Sequence, residues 1–318
     1  MATNLNIPQP GAVMTGMGVM GLEGDSTAGV KQADGGSART SPKSGSSGRL
    51  QRIRSKVSRH ASTTSLPRNF NTGEELGTVI AKLGVHKSHN PWDKTLFMGF
   101  LSGVWVTFAG IFGISIAGGV PEHIRHEWPM IPKFLVGITF PVAIVFILIF
   151  GGELFTGNTM IMVVAKLNKK ITYRDLIQSW ALVFISNFAS CLFLSYLFGY
   201  QSQLFAAEPY LSYVISITTK KTHIPFGRAI LMGIPANALV CLSLFLGLAS
   251  RDMTGKIYGL YLPVMTFAAT GWEHCVANMF YMPLGYYYGA EMTVGSFLRN
   301  IAGVAIGNVI GGAVLIGI

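Results

Sequence analysis

The stretch "GWEHCVAN", residues 271–278, places Glu273 and His274 side by side inside a long apolar segment. Ionisable side chains in the core of a bilayer are costly, and they are rare there unless they have a role. Either this segment does not lie in a membrane, or its polar residues serve the fold or the function. The composition of the rest of the chain decides between these alternatives.

The composition is that of an integral membrane protein. Half of the 318 residues are apolar, only 12% are charged, and 38 are glycine. Cys191, Cys241 and Cys275 all lie in apolar segments, and an odd number in such positions predicts packing residues rather than a disulfide framework. The net charge of +10 therefore indicates membrane orientation, and we expect no nucleic-acid partner.

Two segments precede the apolar part of the chain. Residues 1–70 are rich in Ser, Gly, Thr and Arg and contain no apolar stretch that could form a core, which predicts a disordered cytoplasmic tail. The next segment, "TGEELGTVIAKLG" at 72–84, has Thr72 and Glu75 at the spacing of a capping box and apolar residues on one helical face. It predicts an amphipathic helix at the membrane interface.

Six apolar segments follow, and they predict an all-α domain over residues 95–318 with six transmembrane helices. A span needs about 20 residues. The second and fifth segments are longer than that and contain acidic residues. The segments cover residues 95–120, 134–165, 176–200, 229–250, 257–290 and 301–318.

The basic residues predict the orientation of these spans. If the N-terminus is cytoplasmic, 18 of the 24 Lys and Arg residues fall in cytoplasmic segments. Short cytoplasmic segments carry such an excess in membrane proteins. We therefore expect both termini in the cytoplasm and the protein in the plasma membrane.

The opening motif recurs earlier in the chain. "GGELFTGN" at 151–158 and "GWEHCVAN" at 271–278 share the pattern G-x-E-x-x-x-x-N at a separation of 120 residues, with Pro141 and Pro263 upstream. Each copy lies in the middle span of three, so the second copy enters the membrane from the opposite face. The pattern predicts two inverted repeats, 95–200 and 229–318, whose middle helices are broken by proline and glycine near a midplane site.

The two motifs supply the candidate site residues. Half-helices that begin there would direct unpaired N–H groups at the centre and favour an anion. His274 is the one histidine within these apolar segments, and we expect it to face Thr156 of the other copy. Glu153 and Glu273 are expected to be structural, accepting hydrogen bonds from the N–H groups at the breaks. Lys220 and Lys221 precede the fourth span, either in a solvated loop or in a cationic funnel for anions.

Four stretches closely resemble the formate/nitrite transporter family, and the resemblance extends over about residues 75–318. They are "FPVAIVFILIFGGELFTGN", "KKTHIPFGRAILMGIPAN", "GWEHCVANMFYMPLG" and "GNVIGG". The resemblance implies an aquaporin-like protomer in a homopentamer, with a pore in each protomer. It also implies transport of formate, nitrite, lactate or acetate together with a proton.

The resemblance also implies a role for individual residues. It makes His274 the central histidine, Thr156 its partner and Lys221 a vestibule lysine. It assigns the apolar constrictions to Phe140, Ile144, Phe155 and Phe267, and further polar pathway positions to Asn237 and Asn308; we add Asn278 from the repeated motif.

Two other functions are weighed against transport of an anion or its acid. A channel of the aquaporin type for small neutral solutes would be expected to contain paired Asn-Pro-Ala motifs, which the sequence lacks. An intramembrane hydrolase would need a nucleophile beside a base, but the sequence has neither G-x-S-x-G nor H-E-x-x-H. We therefore expect no enzyme, no cofactor and no metal.

Overall fold

The computed structural model describes residues 70–318, so the predicted tail, apart from Phe70, lies outside the described residues. The described part is helical, with one isolated antiparallel bridge between Phe70 and Ser250. Two of the helices continue at their C-terminal ends as π-helical turns, over Ser195–Gln201 and Ile310–Ile316. The helices are α1 (Gly73–Ser88), α2 (Trp92–Ala117), α3 (Glu122–Glu127), α4 (Met130–Thr139), α5 (Val142–Ile149), α6 (Phe155–Leu167), α7 (Tyr173–Leu194), α8 (Tyr210–Thr222), α9 (Phe226–Ala249), α10 (Met253–Thr270), α11 (Cys275–Tyr287) and α12 (Val294–Val309).

Five helical stretches of the described chain are long and apolar enough to cross a membrane. The sequence predicts six. The region predicted as the fifth span, 257–290, is divided between α10 and α11, and neither helix is among the five stretches. The five stretches are Trp92–Ala117, Met130–Ile149, Tyr173–Gln201, Phe226–Ala249 and Val294–Ile316.

Glycine rather than proline ends the helix before each repeated motif. Gly151 and Gly271 have φ angles of 73° and 81°, in the left-handed region that side chains with a Cβ disfavour. Pro141 stands between α4 and α5 within one apolar stretch, and Pro263 lies inside α10, which continues to Thr270. Pro141 thus interrupts the second apolar segment between α4 and α5, whereas the expectation that Pro263 breaks its helix is wrong; the breaks next to the motifs follow the left-handed glycines.

The amphipathic helix α1 lies against protein. Thr72 and Glu75 form the capping box, with the Thr72 N–H donating to Glu75 Oε2 at 2.7 Å. Leu76 and Ile80 on its apolar face are buried. Gly84 lies so close to α6 that a Cβ there would be 2.5 Å from that of Ala165. The apolar face is thus covered by the helical core.

Two pairs of long helices pack through small residues at matching positions. A Cβ on Gly99 of α2 would lie 2.8 Å from the Cβ of Ser186 on α7, and one on Gly233 of α9 would lie 3.1 Å from the Cα of Gly307 on α12. Small residues let helix backbones approach closely in membrane proteins. The helices that flank the two breaks are held in similar pairs.

The left-handed backbone at Gly271 should make Gly271→Ala destabilising by about 1 kcal/mol, since no atom lies within 4 Å of the new Cβ and only the backbone is strained. The measurement is the thermal unfolding midpoint of purified protein in detergent. Gly227→Ala, also in open space but in an ordinary helical conformation, is the matched control and should not lower the midpoint. Equal midpoints for the two variants would contradict the role given to the φ angle.

Candidate functional site

A hydrogen bond between the two repeated motifs lies at the centre of the structure. Thr156, the second residue of α6, and His274, the N-cap of α11, are buried, and Thr156 Oγ1 lies 2.9 Å from His274 Nε2. His274 Nδ1 accepts a hydrogen bond from the Ala277 N–H at 3.1 Å. Because that nitrogen is the acceptor, the proton of the neutral ring lies on Nε2, which donates to Thr156.

Two asparagines satisfy the backbone at the two breaks in the same way. The Phe155 N–H, at the start of α6, donates to Asn187 Oδ1, and the Cys275 N–H, at the start of α11, donates to Asn308 Oδ1, each at 2.9 Å. Each amide nitrogen in turn donates to two backbone carbonyls, one of them the carbonyl of Glu153 or Glu273. The polar backbone at each break is therefore bonded within the protein, as it must be at membrane depth.

The two glutamates bind side chains rather than the N–H groups that the sequence analysis assigned to them. Glu273 accepts from Lys221 Nζ with both carboxylate oxygens at 2.9 Å, and from Asn278 Nδ2 at 2.6 Å. Glu153 makes the corresponding contacts, with Lys87 Nζ at 2.6 Å and Asn158 Nδ2 at 2.7 Å. The partners differ from the expected ones because asparagine already accepts from the backbone donors at the breaks.

Two cavities flank this centre. The larger, which we call the Lys221 cavity, has a volume of about 490 Å³. The smaller, the Lys87 cavity, has a volume of about 320 Å³. Both are lined partly by basic side chains, which are Arg125, Lys133, Lys220 and Lys221 in the first and Lys87 and Lys94 in the second.

A third cavity of about 20 Å³ shares walls with both of these. It shares Phe140, Phe267 and His274 with the Lys221 cavity. It shares Ile144, Ile147 and Leu154 with the Lys87 cavity. Apart from His274, the residues that line it are apolar, and the ring of Phe267 stacks on that of His274 with centroids 5.7 Å apart. We call it the central cavity; its volume is that of about one water molecule.

Several predicted site residues lie where the sequence analysis expects them. Thr156 and His274 are in contact, and Phe140, Ile144 and Phe267 line the central cavity. Lys221 and Asn278 line the Lys221 cavity.

Three other predicted residues lie elsewhere. Phe155 does not line any of the three cavities; its ring packs against Trp180 and Phe184. A helix turns by about 100° per residue, so Leu154 faces the central cavity and its neighbour does not. Asn237 and Asn308 also lie outside the cavities and bond backbone carbonyls, which makes them structural rather than pathway residues.

Sequence reasoning missed Lys87 and Asn187, although a signal for the first is present. "HKSHNP" at 86–91 and "KKTHIP" at 220–225 share K-x-H-x-P at a separation of 134 residues, which pairs Lys87 with Lys221. This second spacing differs from the 120 residues between the glutamate motifs, so a search at one fixed period does not find it. Asn187 has Asn308 as its counterpart, in otherwise dissimilar sequence.

Half-helices that meet at a buried polar pair, with a cavity on each side, define a membrane transport protein. The sequence model of the formate/nitrite transporter family matches residues 74–318. The chain belongs to the formate/nitrite transporter family, as its motifs predict.

Individual relatives agree with this assignment. The chain is 34% identical over 248 residues to the formate channel BtFdhC of Bacillus thuringiensis, covering 78% of this chain and 93% of the relative. It is 34% identical over 249 residues to the uncharacterized transporter YrhG of Bacillus subtilis, covering 78% and 92%. These relatives are channels or transporters, and the chain is accordingly not an enzyme.

A solved structure supports the fold. A pentameric formate channel with formate bound aligns with a TM-score of 0.61 at 26% identity, covering 71% of this chain and 94% of that one. The prediction of a helical membrane protein of this family is confirmed at the level of the overall fold.

The amide of Asn187 should be needed for folding. Asn187→Leu keeps a similar volume but leaves the Phe155 N–H without its acceptor and removes one donor from each of the carbonyls of Gly99 and Glu153. The buried unpaired N–H alone should cost about 1 to 3 kcal/mol. The yield of folded protein and its thermal midpoint measure this. The exposed Asn168→Leu is the control, and similar losses in both variants would refute the assignment.

The pair of Lys221 and Glu273 should behave as a unit. Lys221→Met leaves the buried Glu273 carboxylate without its cation and should cost about 3 kcal/mol. Adding Glu273→Gln removes the unpaired charge and should restore most of the thermal midpoint. If the double variant is no more stable than Lys221→Met alone, the two residues do not depend on each other.

Proposed function

We propose that the protein transports small monovalent anions or their conjugate acids, such as formate, acetate, lactate or nitrite, together with a proton. The route runs from the Lys221 cavity through the central cavity to the Lys87 cavity. The observation that carries this proposal is the central cavity itself, a narrow apolar space with His274 in its wall between two larger cavities lined by basic side chains.

The size and polarity of the central cavity favour the neutral acid over the anion. An unpaired carboxylate moved into an apolar medium faces tens of kcal/mol in the idealised limit. Protonating an acid of pKa about 4 at pH 7 costs roughly 4 kcal/mol, at 1.36 kcal/mol per pH unit. A space with room for about one water cannot hold the hydration shell that would lower the cost of moving the carboxylate into it. The solute therefore crosses this part of the route as the neutral acid, and a proton crosses with it.

The proposed roles follow from these positions. The basic side chains of the two cavities attract the anion. The apolar walls formed by Phe140, Ile144 and Phe267 exclude its charged, hydrated form. His274 lines the central cavity, and its Nε2, which lies 2.9 Å from Thr156 Oγ1, can exchange that hydrogen bond for one to the solute.

The matched contacts support an inverted repeat as the basis of the route. Residues 95–200 and 229–318 make corresponding bonds through Asn187 and Asn308. Each range also supplies the glutamate and asparagine of one Lys–Glu–Asn set, whose lysine, Lys87 or Lys221, lies shortly before the range. We therefore propose six spans, counting the stretch from α4 to α6 and that from α10 to α11 as the two broken ones.

The orientation and assembly are also part of the proposal. The distribution of basic residues places both termini in the cytoplasm, so the Lys87 cavity faces inward and the Lys221 cavity outward, in the plasma membrane. A homopentamer is supported by the pentameric formate channel to which the chain is similar.

Uptake into proteoliposomes tests the function. Wild-type protein should take up radiolabelled formate, acetate, lactate or nitrite, and uptake should rise when the external pH is lowered. A fluorescent dye in the lumen should report acidification that accompanies uptake. Swelling in glycerol without uptake of any of the four anions would refute the proposal and favour a neutral-solute channel.

Replacing the central histidine should change this pH dependence. His274→Asn removes the imidazole that lies against Thr156 and should abolish uptake or flatten its dependence on pH. His89→Asn, on the exposed end of α1, is the matched control and should transport as the wild type does. Unchanged pH-dependent uptake in His274→Asn would exclude a role for this residue in the proton step.

A further inference from the structure

Four polar residues beside the Lys221 cavity form a closed ring of hydrogen bonds, which we call the Lys221 ring. Lys221 Nζ and Asn278 Nδ2 both donate to the Glu273 carboxylate. Asn278 Nδ2 also donates to Asn300 Oδ1 at 2.8 Å, and Asn300 Nδ2 donates to the backbone carbonyl of Lys221 at 2.9 Å. Lys221 is therefore held at both ends, its ammonium by Glu273 and its backbone by Asn300 of α12.

The corresponding residues beside the Lys87 cavity do not close into a ring. Asn158 Nδ2 donates to Glu153 at 2.7 Å and to Ser179 Oγ at 3.2 Å, so Ser179 takes the place of Asn300. Serine has no amide nitrogen, and within residues 70–318 no hydrogen bond joins Ser179 to α1. The Lys87 carbonyl accepts from backbone N–H groups at the end of α1. Lys87 is thus held by α1 itself and by the contact of its ammonium with Glu153.

This difference affects how easily each lysine can leave its glutamate. Asn300 is buried, and both its amide oxygen and its amide nitrogen are bonded. A buried polar network whose members are all bonded stiffens a site. For Lys221 to follow a solute, the end of α8 must shift and break the bond to Asn300 as well as the bonds to Glu273. Lys87 has the contact with Glu153 to break and no second bond of this kind.

We propose that Asn300 is a positioning residue that keeps Lys221 on Glu273, so that Lys221 attracts the transported anion without binding it tightly, whereas Lys87 can leave Glu153 and bind it. This inference rests on the proposed transport function and adds to it a residue that sets the affinity on one side. A solute that enters from the Lys221 cavity meets a fixed cation, and at the Lys87 cavity it meets a movable one.

Chemical labelling of the purified protein compares the two lysines without transport. The N-hydroxysuccinimide ester of acetic acid is added for short times, and the acetylated peptides are quantified by mass spectrometry. By exposure alone Lys221 should react faster, since its side chain is 16% exposed and that of Lys87 is 10% exposed. We expect the opposite order, because Lys87 leaves its carboxylate more readily.

Asn300→Ser gives the Lys221 ring the residue type found beside Lys87. The Lys221 carbonyl keeps the N–H groups of His223 and Ile224 as donors, so it is not left unpaired. Labelling of Lys221 should become about three- to tenfold faster, the effect of losing one hydrogen bond, while that of Lys87 stays unchanged.

Formate uptake into right-side-out membrane vesicles measures the consequence for transport. In Asn300→Ser, the KM for entry from the Lys221 cavity should fall about three- to tenfold, because the released lysine can bond the anion. The maximal rate should fall as well, because an anion held more tightly leaves more slowly. Damage to the fold alone would lower the maximal rate and leave the KM unchanged.

Arg299→Met is the matched control. Arg299 Nη2 donates to the Thr222 carbonyl at 3.1 Å, so Arg299 also joins α12 to the end of α8, but it lies outside the Lys221 ring and does not line the Lys221 cavity. Its replacement should leave the labelling rate of Lys221 unchanged and should not lower the KM. The loss of its positive charge weakens the attraction for an anion, which is the opposite change.

The outcomes separate this inference from the proposed function. If either the labelling rate of Lys221 or the KM is unchanged in Asn300→Ser, or if Arg299→Met has the same effects, the inference is overturned and the transport function stands. Faster labelling of Lys221 than of Lys87 in the wild type also overturns it, and this comparison decides the matter if Asn300→Ser does not fold. If the wild type transports none of the four anions, the transport function fails, and the labelling rates still decide whether Asn300 holds Lys221.

Discussion

The structure depends on one constraint, the need to bond backbone N–H groups where a helix is interrupted inside the hydrocarbon layer. Water is not there to satisfy them, so each break must bring its own partners. Asn187 and Asn308 meet this need with one side-chain amide each. The amide oxygen accepts a hydrogen bond from the first backbone N–H of a half-helix, and the amide nitrogen donates to two nearby backbone carbonyls. With the backbone satisfied in this way, the Thr156 hydroxyl and His274 Nε2 are available to bond each other.

Bonding within the protein also explains why the buried acidic residues are tolerated. Each glutamate lies within hydrogen-bond distance of a lysine and an asparagine, so neither carboxylate is isolated in the low dielectric. Isolated charges in such surroundings would be strongly unfavourable. The lysines come from α1 and α8, the short helices that precede the first span of each half. These helices therefore belong to the site as much as the spans do.

Much of the central site could be predicted from the sequence because it lies in the repeated motif. The recurrence of G-x-E-x-x-x-x-N located both breaks, and His274 was singled out as the one histidine within the apolar segments. Asn187 could not be found this way, since a polar residue inside an apolar helix does not reveal which backbone groups it bonds. The orientation of Phe155 and the effect of Pro263 were mispredicted for a related reason. Which way a side chain points, and whether a proline ends a helix, depends on the tertiary contacts around it and not on its presence in the segment.

The bond between Lys221 and Glu273 has a kinetic consequence for the proposed transport. An anion that reaches the ammonium must compete with a carboxylate already held there by two hydrogen bonds, so the cation attracts it without retaining it. Conduction requires binding that is favourable enough for entry and weak enough for departure. A lysine with a resident counter-ion gives a short residence time, and it favours turnover over affinity.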